Sequence, residues 1–169
     1  MRVKHRHALR RRDVKNLIEE LSNKFPELLE VVEIEGIRHA KVELLITDKE
    51  HEVYVLDGKP VIIKYSEIFY PTIEVANQYS KRLPRVVVDR GAVPHIANGA
   101  DVMAPGIVRV DGAFSAGDIV LIAEETYGRV IAIGRALVSS NEIGSRGKVV
   151  ENLHYVGDRL WRLLREIYG

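Results

Sequence analysis

Residues 88–108 read VDRGAVPHIANGADVMAPGIV: a strand end, a helix-sized apolar cluster closed by glycine, and a second strand. Ala92, Val93, Ile96 and Ala97 share one helical face, Pro94 is tolerated only in a first turn, and Gly99 supplies the left-handed residue that stops a helix. The spacing therefore predicts one short helix between strands, with RVVVD (residues 85–89) as the strand before it. Downstream, Gly106, Gly112, Gly117, Gly128 and Gly134 punctuate the runs IVRV, DIVLIAEE, RVIAIGRALV and VVENLHYV at the intervals of a small barrel. Eleven of the thirteen glycines lie in residues 81–169. The two halves are thus built by different rules, and the boundary falls at residues 81–84.

The first half reads as a small α+β unit. Val14, Leu17, Ile18, Leu21 and Phe25 recur at the spacing of one buried helix face, which predicts a helix over residues 10–24. VVEIE from Val31, KVELLI from Lys41, HEVYVL from His51 and VIIKY from Val61 read as strands. Asp57-Gly58 between the last two is a hairpin signal, because both central residues of that turn take positive φ. A second helix is expected after Pro71, capped by Thr72 and facing inward through Ile73, Ala76 and Tyr79. At the far end, residues 158–168 form a helix with Leu160, Leu163, Leu164 and Ile167 on one stripe and Arg159, Arg162 and Arg165 on the other side; Trp161 reads as an anchor against the barrel.

Composition narrows the function. The chain has 169 residues, 46% hydrophobic and 29% charged, which is enough for a packed core. No apolar run reaches the length of a membrane span and no secretion signal opens the chain, so an intracellular protein is expected. The absence of cysteine removes disulfides, thiolate metal sites and thiol nucleophiles. Net charge is only +1, but it is unevenly spread. Residues 1–15 carry seven Lys or Arg against one acid, and residues 16–80 carry six against thirteen. A basic arm on an acidic body recruits polyanions even when the sum is near zero. Arginine outnumbers lysine sixteen to nine, which suits forked phosphate contacts, although genome composition or life at high temperature gives the same bias.

Arg2, Lys4, Arg6, Arg10, Arg11, Arg12 and Lys15 lie in or just before the first turn of the first helix. Positive charge there opposes the helix macrodipole, so stability does not explain it. RNA phosphates do, with a solvated, ligand-free terminus as the plainer alternative. His5 and His7 in a flexible arm do not make a tetrahedral metal site, and the remaining histidines have no recognisable nucleophile or orienting acid, which leaves no metal, no cofactor and no catalytic residue. Tyr65, Phe69, Tyr70 and Tyr79 could stack on bases, but packing in the core accounts for them more simply. The glycine-bearing helix exit at Gly99 leaves backbone amides and an uncluttered surface where a polynucleotide could approach, with Lys81, Arg82, Arg85 and Arg90 near in sequence. A simple turn is the alternative. There is no P-loop, dinucleotide fingerprint, HExxH or nucleophile elbow.

Residues 88–108, followed by FSAGDIVLIAEE and VIAIGRALVS, resemble a PUA domain, the RNA-binding pseudo-barrel of pseudouridine synthases and archaeosine transglycosylases. With FYPTIEVANQYSKRLP, the Asp57-Gly58 hairpin and ENLHYVGDRLW, the similarity runs from Lys4 to Trp161 and resembles the malignant T-cell amplified sequence family and the N-terminal part of ligatin, most closely their archaeal relatives. The resemblance implies an α+β pre-PUA domain at residues 1–82 and a mostly β PUA pseudo-barrel at residues 83–169. It implies a protein without catalytic residues that works with the small ribosomal subunit in initiation, reinitiation or recycling, and a density-regulated-protein-like partner as in eukaryotic relatives. By position it points to Arg90, His95, Asn98, Gly99, Ala100 and Asp101 on the helix and loop and to Asn152 and His154 near the last strand as RNA contacts. Ala104 stands where the human-type segment has cysteine, so no thiol role transfers.

The expected function is non-enzymatic RNA binding in the cytoplasm, through small-subunit rRNA or bound tRNA and with no membrane contact. The RNA-binding residues expected are Arg6, Arg10, Arg11, Arg12, Lys81, Arg82, Arg85 and Arg90 together with the helix, loop and last-strand set. An RNA-gripping accessory subunit of a pseudouridine synthase or transglycosylase, and a pure protein-interaction module, are the alternatives.

Overall fold

The computed structural model describes residues Met1–Gly169. They form two compact units, Met1–Thr72 with Leu163–Gly169, and Ile73–Arg162.

The first unit runs β1 (Val3–Ala8), α1 (Arg11–Lys24), α2 (Pro26–Ile34), β2 (Val42–Thr47), β3 (Glu52–Leu56), β4 (Lys59–Tyr65) and β5 (Ile68–Pro71). Its strands form an antiparallel sheet in the order β1-β2-β3-β4-β5. Leu17 and Leu21 of α1 and Leu28, Val31 and Val32 of α2 are buried, as are Leu45, Val53, Val55, Val61, Ile62 and Ile63 of the sheet. The turn at Asp57-Gly58 takes φ of 47° and 82°, the pair that a two-residue hairpin requires. Thr72 is buried, and its hydroxyl donates to the Pro60 carbonyl.

Two elements of this unit differ from the sequence reading. VVEIE belongs to α2, not to a strand. Pro26 occupies the first helical turn, and Leu28, Val31 and Val32 keep the i, i+3, i+4 spacing that the short alternation in VVEIE concealed. The basic arm is not a loose tail either. VKHRHA is β1, an edge strand in register with β2, His7 opposite Leu44. Every residue of it except Val3 is exposed, so it carries no inward-outward alternation to announce a strand. Its charges are of the kind that guards an open sheet edge.

The second unit runs α3 (Ile73–Gln78), β6 (Arg85–Val88), α4 (Val93–Ile96), β7 (Val102–Met103), β8 (Ile107–Asp111), β9 (Ile119–Glu124), β10 (Val130–Ala136), β11 (Lys148–Tyr155) and the first turn of α5 (Arg159–Tyr168). The last turns of α5 belong to the first unit, and α3 belongs to the second, whereas the boundary read from glycine density groups α3 with the first half. The sheet order is β7-β11-β10-β9-β6-β8, antiparallel except for β6 beside β9. It curls around Val86, Val88, Ile96, Val102, Val120, Ile122, Ala132, Ala136 and Val150. Gly134 permits the close approach of β11 at the irregularity where it meets β10. A Cβ there would collide with Val150 and lie 2.7 Å from the Glu151 carbonyl oxygen.

Candidate nucleic-acid interface

The short helix α4 is held at both ends. Asp89 accepts the Ala92 N–H at 2.8 Å and sends its own N–H to Gly106 at 2.9 Å, which fixes the entry. At the exit, Gly99 takes φ of 92°, its N–H reaches the Ile96 carbonyl at 3.0 Å, and the Ala100 N–H reaches His95 at 3.0 Å. Those two bonds make a Schellman closure, which needs a residue at positive φ where Gly99 stands. A Cβ on Gly99 would also lie 3.2 Å from the Tyr155 ring, so the loop packs on that ring edge to backbone.

Asn152 of β11 ties the exit to the barrel. Its Nδ2 donates to the Ile96 and Ala100 carbonyls, both at 3.1 Å, and its backbone N–H donates to Asp101 Oδ1 at 2.9 Å. The other Asp101 oxygen pairs with Lys148 at 3.2 Å. Asn152 Oδ1 is buried with no partner, a polar atom tolerated because the amide's donor side supplies the Ala100 carbonyl and adds a second donor to the Ile96 carbonyl. The structure therefore brings His95, Asn98, Gly99, Ala100, Asp101 and Asn152 into one bonded assembly. Within it Asn152 and Asp101 shape the loop, while His95, Asn98 and Ala100 are exposed. Arg90, three residues before α4, is exposed and its guanidinium makes no ion pair.

His154 does not join this surface and is corrected here. It is 1% exposed, and its Nδ1 lies 2.7 Å from Asp158 Oδ2. Asp158 also accepts the backbone N–H groups of Tyr155 at 3.0 Å and Trp161 at 2.7 Å and thereby caps α5. Burial pushes the Asp158 carboxyl up, but His154 and the two amides outweigh that and hold it below the usual carboxylate range. Lys81 and Arg82 are exposed in the segment after α3, and Arg85 is partly buried and paired with Asp111 at 2.9 Å, so its charge is already met.

In the first unit the basic residues divide into two groups. Lys4 faces Glu50 at 3.3 Å, Arg6 faces Glu43 at 3.1 Å and lies over the Tyr168 ring, and Arg10 faces Asp13 at 3.4 Å. Arg11, Arg12 and Lys15 on the first turns of α1 are exposed and make no ion pair. The expectation of a uniformly available arm is thus corrected for Arg6 and Arg10, whose acids come from β2 and from α1 itself. Sequence reading also missed Lys148 and Tyr155, which brace the loop; their signal was the apolar spacing of the last strand, which places both near the glycine exit only once β7 and β11 are paired. No helix is long and apolar enough to cross a membrane.

The second unit is a PUA domain: the family model described as PUA domain matches residues 84–156, and one described as a domain of unknown function, DUF1947, matches residues 5–79. The chain is 36% identical over 163 residues to an uncharacterized protein of Methanocaldococcus jannaschii, covering 95% of this chain and 98% of that one. It is 26% identical to translation machinery-associated protein 20 of Saccharomyces cerevisiae, over 83% of this chain and 82% of the relative. A crystal structure of a hypothetical protein from Pyrococcus horikoshii matches with a TM-score of 0.79 at 38% identity, covering 95% of this chain and 99% of that one. The chain belongs to the family that couples this N-terminal domain to a PUA domain and that includes translation machinery-associated protein 20 and the malignant T-cell-amplified sequence proteins.

Proposed function

We propose that this chain is a non-catalytic, cytoplasmic RNA-binding protein that works with the small ribosomal subunit, or with tRNA held there, in translation initiation, reinitiation or recycling. The observation that carries the reading is the braced exit of α4, where Asn152 and Gly99 fix a backbone scaffold that presents His95, Asn98 and Ala100 near an unpaired Arg90. A rigid loop of small residues lets a sugar-phosphate chain approach the backbone closely, and a free guanidinium supplies the charge. The names of the relatives favour a translational setting. In the first unit, Arg11 and Arg12 with Lys15 add positioning contacts, and Arg6 and Arg10 contribute only by exchanging their carboxylate for phosphate. A density-regulated-protein-like partner belongs to the same reading.

Crosslinking in native lysate followed by sequencing of the attached RNA tests the proposal directly. Small-subunit rRNA or tRNA is the expected recovery. Enrichment of pseudouridylation or transglycosylation targets instead would reassign the chain to an RNA-modifying assembly, and no RNA above background would end the RNA reading.

A further inference from the structure

The hairpin joining β9 to β10 carries the most exposed large hydrophobic side chain of the barrel unit. Tyr127 is 85% exposed. Five hydrogen bonds, three of them to the Glu124 carboxylate, and one buttress fasten the turn beneath it. Both oxygens of Glu124 are aimed inward: Oε1 accepts the N–H groups of Tyr127 at 2.8 Å and Arg129 at 2.9 Å, and Oε2 accepts that of Thr126 at 2.8 Å. The Gly128 N–H reaches the Glu124 carbonyl at 3.1 Å with Gly128 at φ of 70°, and the Glu124 N–H reaches Arg129 at 2.9 Å. The buttress is Glu125, which accepts the Arg90 N–H at 3.2 Å while its own N–H donates to Val88 at 3.1 Å. The hairpin is therefore fastened to the segment that leads into α4.

This arrangement is not explained by folding. Burying a tyrosine ring is favourable, and a loop tip without a task is more commonly small and polar. Here a carboxylate is committed to holding the loop in a shape that leaves the ring standing in water. Two exposed arginines belong to the same fastened stretch, Arg129 two residues further along the hairpin and Arg90 on the segment bonded to Glu125, and neither makes an ion pair. A rigid aromatic with unpaired arginines beside it is the chemistry that takes an unstacked base and its neighbouring phosphates. We propose that Tyr127 is a stacking platform for one unpaired nucleobase of RNA, with Arg90 and Arg129 meeting the flanking phosphates. It is a subsite apart from the Gly99 loop and extends the RNA path across the Arg90 segment. The inference rests on the RNA-binding reading above and adds to it where, and how, a base is held.

The probe is a fluorescently labelled single-stranded decamer of uridine, and a second of adenosine, titrated with the full chain at several salt concentrations. Tyr127→Ala should weaken both by roughly 5- to 150-fold, the equivalent of about 1–3 kcal/mol for one stacked base, with an unchanged salt slope. Tyr127→Phe should bind like the native chain, Tyr127→Leu like Tyr127→Ala, and Arg129→Ala should reduce the slope by about 0.7. Thermal unfolding of each variant should match the native chain, since the Tyr127 side chain stands 85% exposed. Photocrosslinks should fall on the 125–129 peptide. If the native chain binds the decamers and Tyr127→Ala binds them equally, or if Leu serves as well as Phe, the platform is refuted while RNA binding stands. If Tyr127→Ala loses only a protein partner, the platform is likewise refuted. Absence of binding by the native chain even at low salt would instead refute the RNA reading itself.

Discussion

The basic strand β1 and the α4 exit loop reach a binding-ready surface by opposite routes. In β1 the sequence is dense in cations, yet the fold answers Lys4, Arg6 and, at the helix start, Arg10 with acids of its own unit. Around α4 the sequence is modest in charge, yet the fold spends Asn152, Asp101 and Gly99 on fixing a loop and leaves Arg90 unanswered. Cation density read along a chain therefore overstates availability where acids converge from other elements. Rigidity, which carries no compositional signature, is what the loop contributes.

The comparison breaks most severely if the barrel itself yields. Gly134→Ala places a methyl against Val150 and 2.7 Å from a backbone oxygen that cannot rotate away. The expected loss is about 3 kcal/mol, the upper end of ordinary overpacking, seen as a large drop in the thermal midpoint of the full chain. A midpoint equal to that of the native chain would mean that β10 and β11 separate there without cost.

Asn152→Ala attacks the loop alone. The Ala100 carbonyl loses its side-chain donor and the Ile96 carbonyl keeps only the Gly99 N–H, but a buried unpartnered oxygen disappears as well, so the destabilisation should be about 1 kcal/mol, at the low end for such a loss. Hydrogen exchange at residues 97–101 should quicken, and RNA affinity should fall with no change in salt slope. An equal affinity would show that the loop need not be rigid to bind. Gly99→Ala should act the same way through the Tyr155 ring and the positive φ.

The two cation groups of the first unit give a smaller and sharper contrast. Replacing Arg11, Arg12 and Lys15 with Ala should flatten the salt slope of RNA binding by about 2, at about 0.7 for each phosphate contact. Replacing Arg6 and Arg10 should change it by less, because each side chain must first leave an acid worth at most about 1 kcal/mol at such exposed sites. Equal effects from the two sets would erase the distinction between paired and unpaired cations.

Much of this architecture was readable from the chain. The α1 face, the β2 to β4 run, the Asp57-Gly58 turn and the glycine-punctuated strands of the barrel all follow from period and turn chemistry, and residues 88–108 announce α4 and its left-handed exit. The misreadings have physical causes. β1 buries almost nothing and so has no alternation, and VVEIE is too short for period 2 and period 3.6 to be told apart. Within the site, the left-handed exit at Gly99 was legible from local conformation, whereas Asn98 and Ala100 came only from the family resemblance. The burial of His154 was not, because it depends on how β11 registers against an irregular β10 and on Asp158 four residues later. Nor could sequence show which arginines find acids, since Arg6 meets Glu43 only through strand pairing.

The gentlest test concerns where charge is buried. Asp158 has only 15% of its side chain exposed, whereas Glu50 in its pair with Lys4 of β1 has 71%. Because the folded carboxyl of Asp158 titrates below its unfolded value, the unfolded chain binds the proton first as acid is added. Its contribution is complete above the ordinary carboxylate range, near pH 4, and is lost as pH falls through the depressed folded value. Asp158→Asn keeps an oxygen to cap α5 but removes that titration. Its unfolding midpoint in denaturant should therefore decline less steeply between about pH 5 and pH 2 than that of the native chain. Added salt should leave this difference standing while it erodes the exposed pairs of β1, since screening reaches surface charges and not a carboxylate enclosed by His154 and two amides. A parallel decline in both chains would place the acid sensitivity in the exposed carboxylates and remove the distinction between the enclosed pair and the surface ones.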